Sequence, residues 1–133
     1  MTGNGRILAV MCGVWMATTA LIVCMPADVR AEDPPAFVEI WGGDGQGNGQ
    51  FYRPYDIAIG PSGLVYVADT FNHRIQVFHP DGTYDFQWGS LGTGDGEFDY
   101  TRGIAIDSDG YVYVVDHYNN RIQKFAADGT YQT

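Results

Sequence analysis

Leu64-Val65-Tyr66-Val67-Ala68-Asp69-Thr70-Phe71-Asn72-His73-Arg74-Ile75-Gln76-Val77-Phe78 returns later in the chain as Tyr111-Val112-Tyr113-Val114-Val115-Asp116-His117-Tyr118-Asn119-Asn120-Arg121-Ile122-Gln123-Lys124-Phe125. The offset is 47 residues. It holds from Trp41/Trp88 through Gly49/Gly96 and Phe51/Phe98 to Gly82/Gly129, with no insertion. A fixed period of this size marks a repeat architecture, in which each copy is one structural unit stacked on its neighbours.

Within a copy, Val65, Tyr66, Val67, Ile75 and Phe78 are β-branched or aromatic. They predict two strands flanking a tight four-residue loop between Asp69 and Arg74. Leu64–Ala68 is apolar on both faces, which predicts a strand covered on both sides. Tyr84–Trp88 alternates instead, with Tyr84, Phe86 and Trp88 opposed to Asp85 and Gln87. It reads as an outer strand with one wet face, and Phe37–Trp41 is its counterpart by the offset. Tyr55–Ile59 and Arg102–Ile106 read as innermost strands, where small Ala58 and Ala105 suit a crowded centre. Gly60–Gly63, Asp107–Gly110, Pro80–Thr83 and Ala127–Thr130 carry turn chemistry. About four short strands per period is the signature of a propeller blade. The fold class expected is therefore all-β: a β-propeller fragment of about two four-stranded antiparallel blades, repeat 1 over 37–83 and repeat 2 over 84–130.

Glycine-rich segments, Gly42–Gly49 and Gly89–Gly96, link outer to inner strands. No helix follows them to make a phosphate site. The second copy also lacks the Gly-Gly lead of a glycine-rich calcium repeat. They read as crossovers from the rim of one blade to the centre of the next, with Phe51 and Phe98 as anchors.

The first thirty residues differ from the rest. Arg6 precedes an uncharged run from Ile7 to Met25, and Val29-Arg30-Ala31 offers small residues for cleavage before Glu32. Residues 1–31 read as a signal peptide or membrane anchor helix and 32–36, with Pro34-Pro35, as a linker. The protein is then secreted, periplasmic or bound to the cell envelope, touching membrane only through an uncleaved leader. Both cysteines, Cys12 and Cys24, lie in that leader, so residues 32–133 form no disulfide.

Charge narrows the partners. The chain carries a formal −9; leaving out Arg6, Arg30 and Asp28 makes residues 32–133 −10. Such an acidic chain would repel nucleic-acid phosphates, and no nucleic-acid partner is expected.

Pro54-Tyr55-Asp56-Ile57-Ala58-Ile59, the long stretch quoted above and Asp81-Gly82 resemble the NHL repeat. The second copy does so equally, with Thr101 in place of Pro54. The resemblance covers nearly all of 37–133 and implies a β-propeller, most often six-bladed. Its members include protein-binding scaffolds, RNA-binding modules, a zinc-dependent peptide-amidating lyase and streptogramin lyases, so fold alone does not choose a function.

Asp69, Asn72 and Arg74, with Asp116, Asn119 and Arg121, recur in both copies, as a fold device would. They are assigned to structure: Asp and Arg clamping the hairpin turn, Asn in a left-handed conformation. His73, His79 and His117 fall at different places in their turns and assemble no metal site; no cofactor and no catalytic residue is assigned. In a propeller the crossovers and the hairpins after the second strand share one end. That end gathers Arg53, Tyr55, Arg102 and His117, the candidate ligand-binding residues, suited to a carboxylate or a sugar acid.

The function expected is an exported binding or scaffold module for a protein, small-molecule or carbohydrate ligand. The alternative is part of an extracellular metal-dependent lyase or hydrolase, like the amidating or streptogramin lyases. Two blades leave apolar faces open, so further blades after Thr133, or three chains in a six-bladed ring, are needed to cover them. The halt at Tyr131-Gln132-Thr133, inside the second outer strand, favours further blades.

Overall fold

Seven short strands build two antiparallel sheets in the computed structural model, which describes residues 38–133. The leader over 1–31, the linker over 32–36 and Phe37 lie outside the described residues. The first sheet runs β1 (Asp56–Ile59), β2 (Val65–Asp69), β3 (Arg74–Phe78) and β4 (Tyr84–Trp88), in that order. The second runs β5 (Thr101–Ile106), β6 (Val112–Asp116) and β7 (Arg121–Phe125). Registers repeat with the sequence: Asp69 pairs with Arg74 and Val65 with Phe78, just as Asp116 pairs with Arg121 and Val112 with Phe125. A fourth strand of the second sheet is only begun, by a bridge between Phe125 and Tyr131 equivalent to the Phe78–Tyr84 pair.

The sheets stack because each presents one apolar row to the other. Tyr66, Ala68, Ile75 and Val77 of the first sheet bury themselves with Ile104, Val112, Val114 and Phe125 of the second, around Phe98. The opposite row of the first sheet, Val65, Val67 and Phe78, is covered by Trp41, Phe51 and Tyr84. Every residue of β2 and β3 is buried, so the doubly apolar pattern of the quoted stretch becomes a doubly covered hairpin. The same hairpin in the second copy is covered on one side. Val115 and Ile122, counterparts of Ala68 and Ile75, are 39% and 65% exposed. At the other end of the stack Ile57 and Ile59 are open where their counterparts Ile104 and Ile106 are covered.

The Asp-Gly turns hold their place by contact as well as by conformation. Gly82 and Gly129 have positive φ (79° and 84°), and a Cβ there would meet Trp41 Cδ1 at 2.6 Å and Trp88 Cδ2 at 2.9 Å. Trp41 and Trp88 thus each lie against the Asp-Gly turn at the far end of their own copy.

Among the described residues one expected strand is missing. Residues 38–41 form no ladder, with Val38 and Ile40 92% and 83% exposed and Trp41 alone anchored on Phe78 at 4.7 Å. A strand needs a partner, and the counterpart Tyr84–Trp88 gains its ladder from β3. The segment one period earlier than β3 lies outside the described residues. An alternating pattern stays unpaired without a neighbouring strand to receive its hydrogen bonds.

Candidate ligand-binding face

Two layers of polar residues occupy the end where β2 turns into β3. The deeper one is built on Asp69, fully buried at the end of β2. Its Oδ1 accepts from the Tyr52 amide at 2.8 Å; its Oδ2 accepts from Arg74 Nε at 2.7 Å, Asn72 Nδ2 at 2.8 Å and Gln76 Nε2 at 3.0 Å. These donors reach outward to the glycine crossover. Asn72 donates to the Gly45 carbonyl, Arg74 to those of Gly47 and Gln50, and Gln76 bridges the Gln50 carbonyl and the Gly49 amide. The second copy repeats the set with Asp116, Asn119, Arg121 and Gln123 holding Gly92, Gly94, Gly96 and Glu97. A buried carboxylate is tolerable here because its charge is paired and its lone pairs are filled.

The expected structural role of these residues is therefore refined in two respects. The clamp grips the crossover loop rather than the hairpin turn alone, and Gln76 and Gln123 belong to it. Their signal in sequence was their recurrence at the same offset. The left-handed positions are His73 (φ 54°) and Asn120 (φ 53°), not Asn72 and Asn119. Asn72 closes a 3-10 turn, Thr70–Asn72, with its amide committed to Asp69 and Gly45, so the chain reverses at the next residue.

The outer layer lies at the boundary between the sheets. Arg102 at the start of β5 donates through Nη2 to Tyr55 Oη at 3.3 Å, and its guanidinium carbon stands 5.1 Å from the centre of the Tyr55 ring. Its Nη1 lies 3.3 Å from His117 Nε2. The hydrogen bond to Tyr55 raises the Arg102 guanidinium further above its already high value, so it stays charged. With Thr70, Phe71, Tyr100 and Tyr118 these residues line a cleft of about 220 Å³. Three of the four expected binding residues, Tyr55, Arg102 and His117, therefore come together. Arg53 does not join them: it lies over Phe71, 4.9 Å from the ring centre, beside Tyr52.

Aromatic rings connect the two arginines. Phe71 meets Tyr100 at 4.7 Å, and Tyr100 meets Tyr118 at 4.7 Å, both edge to face. His73, unassigned by sequence, ties the copies together by accepting the Tyr100 amide at 3.2 Å on Nδ1, with Asp99 at 3.7 Å. Thr70 adds a second tie, donating to the Thr101 carbonyl at 2.7 Å. His79 stands apart, 3.9 Å from Asp85. Among the described residues no three His, Cys, Asp or Glu side chains form a group fit to hold a metal ion.

Charge is distributed unevenly among the basic residues. Arg74 and Arg121 are bound to buried aspartates, and Lys124 rides 3.9 Å above the Tyr111 ring. Arg53 and Arg102 have no carboxylate of the described residues within 4.0 Å, and both lie at this end.

Residues 51–133 match a family model described as "6-bladed beta-propeller". Several curated proteins share the repeat. Protein wech of Drosophila melanogaster is 39% identical over 69 residues, 52% of this chain and 8% of its own length. E3 ubiquitin-protein ligase TRIM71 of Mus musculus is 45% identical over 44 residues, 33% of this chain and 5% of that protein. B-box type zinc finger protein ncl-1 of Caenorhabditis elegans is 51% identical over 39 residues, 29% of this chain and 5% of that protein. The matched stretch spans about one-twentieth of the length of the last two.

Proposed function

Because this chain belongs to the six-bladed β-propeller family, its two copies being NHL-type repeats, we propose that it is an exported binding module. It takes its partner at the end where Tyr55, Arg102 and His117 meet. One observation carries this reading: among the described residues, the two guanidiniums without a carboxylate partner both lie at that end, set on a row of aromatic rings. Exposed arginine over aromatic side chains is the composition of contact surfaces, giving area at low entropic cost with directional donors. The clamp beneath serves the site by fixing the crossover and hairpin backbones from which these side chains project. Relatives whose names denote a ubiquitin ligase and a zinc-finger protein share the repeat over about one-twentieth of their length, which agrees with a portable module. Export rests on the leader sequence, with its uncharged run and Val29-Arg30-Ala31. Further blades, in sequence or from other chains, cover the open faces at Ile57 and Ile122.

A displayed-peptide library selected on the full chain tests the reading. Enriched peptides that lose binding to an Arg53→Ala, Arg102→Ala double variant support it. Peptides that bind both proteins equally place recognition elsewhere and overturn it.

A further inference from the structure

We infer that the cleft between the copies is a site for a single carboxylate carried on a small apolar or ring-shaped body, with Arg102 as its anion-binding residue. The inference rests on the binding-module reading above and names the chemistry its site selects. A guanidinium has five N–H donors, and Arg102 spends two of them, one toward Tyr55 Oη and one toward His117 Nε2, both at 3.3 Å. Three remain, enough for the two parallel bonds of a carboxylate. The Tyr55 contacts hold the guanidinium by its hydroxyl and its ring face, so less freedom is lost when a ligand binds.

Size and field set the ligand class. The cleft of about 220 Å³ admits a small group, and Phe71, Tyr100 and Tyr118 offer it ring faces and edges. Residues 32–133 carry a formal −10, whose long-range field disfavours polyanions. A lone arginine inside that field suits a monoanion making short-range bonds. A run of phosphates would need several cations in line.

The probes are N-acetyl-phenylalanine, its carboxamide, and galacturonic acid, titrated into the isotope-labelled full chain and followed by NMR. Either acid is expected to shift the Arg102 Nε–H and His117 ring signals. The carboxamide should bind roughly tenfold or more weakly, the loss expected when a charge-assisted pair is removed. A response to the amino-acid derivative assigns the ligand to peptides; a response to galacturonic acid alone assigns it to sugar acids. Arg102→Gln should abolish both responses. Tyr55→Phe, which removes only the hydroxyl, should weaken them by about threefold to tenfold. Equal binding of acid and carboxamide overturns the inference, as does binding untouched by Arg102→Gln in a protein with an unchanged melting curve. Tight, steeply salt-dependent binding of single-stranded RNA without any response to the acids overturns it as well. Library peptides that need Arg102 but survive removal of their carboxylates would leave the binding-module reading intact and remove this inference alone.

Discussion

Tyr55 and Arg102 occupy the same position in the two copies, 47 residues apart, and meet across the boundary between the sheets with the guanidinium donating to the phenol oxygen at 3.3 Å. Two positions earlier the residue types are exchanged, Arg53 standing opposite Tyr100. The copies share a backbone but differ at the rim of the cleft, where sequence is free to vary without disturbing the ladders. Both residues of the pair are exposed, and exposed polar pairs contribute little to folding. Arg102→Gln and Tyr55→Phe should therefore leave the thermal transition unchanged while altering ligand response. A large fall in melting temperature would show the pair to be structural.

The clamp should behave in the opposite way. Asp69 is fully buried and the Arg74 side chain nearly so, and Asp69→Ala strands Arg74, Asn72 and Gln76 without their acceptor. Removing one partner of such a pair costs about 3–5 kcal/mol. Asp116→Ala should cost less, because the Arg121 side chain is 29% exposed and can turn to water. Chemical denaturation of the two variants checks the order; equal midpoints, or an Asp69→Ala curve like wild type, would contradict it.

Glycine at the Asp-Gly turns is required twice over. Gly82→Ala forces a side chain into left-handed backbone, at about 1–2 kcal/mol, and presses it on the Trp41 ring. Gly43 has open space within 4 Å and no positive φ, so Gly43→Ala should be neutral or slightly stabilising. Melting temperatures that fall equally for both would refute the distinction.

Alkali should separate the copies at Tyr66. Its hydroxyl donates to the Ala127 carbonyl across the boundary at 3.1 Å, and burial, followed by the charges of Asp85 and Asp128, raises its ionisation above the ordinary 10.0. A raised folded value means stability is full below pH 10 and declines as pH climbs from there through the folded value. Tyr66→Phe should lose about 1 kcal/mol at neutral pH and flatten that decline. Urea denaturation between pH 8 and 11 is the measurement, and a wild-type profile retained by the variant would defeat the assignment.

The open faces make an assembly prediction. Ile57 and Ile59 at one end, Val115 and Ile122 at the other, leave apolar surface exposed. Residues 38–133 should associate with rising concentration in sedimentation, and Ile57→Glu with Ile122→Glu should suppress it. Association unchanged by the pair would locate the contact elsewhere.

Strand order, the blade repeat and the end at which Tyr55, Arg102 and His117 gather follow from sequence alone, because alternation and a 47-residue offset fix which positions are equivalent. Recurrence at one offset also marked Asp69 and Asp116 as equivalent positions, which the structure shows buried and hydrogen-bonded alike. Tertiary structure decided the rest. Only stacking of the sheets reveals that Arg102 reaches Tyr55, and only the folded first copy shows Arg53 turning to Phe71, since both contacts depend on distances that no period encodes. The grip of Gln76 on the crossover and the left-handed turn at His73 rather than Asn72 arise from competition for the same few donors and acceptors. Residues 38–41 carry a strand's pattern without its pairing, because a strand is completed by a neighbour and not by its own sequence.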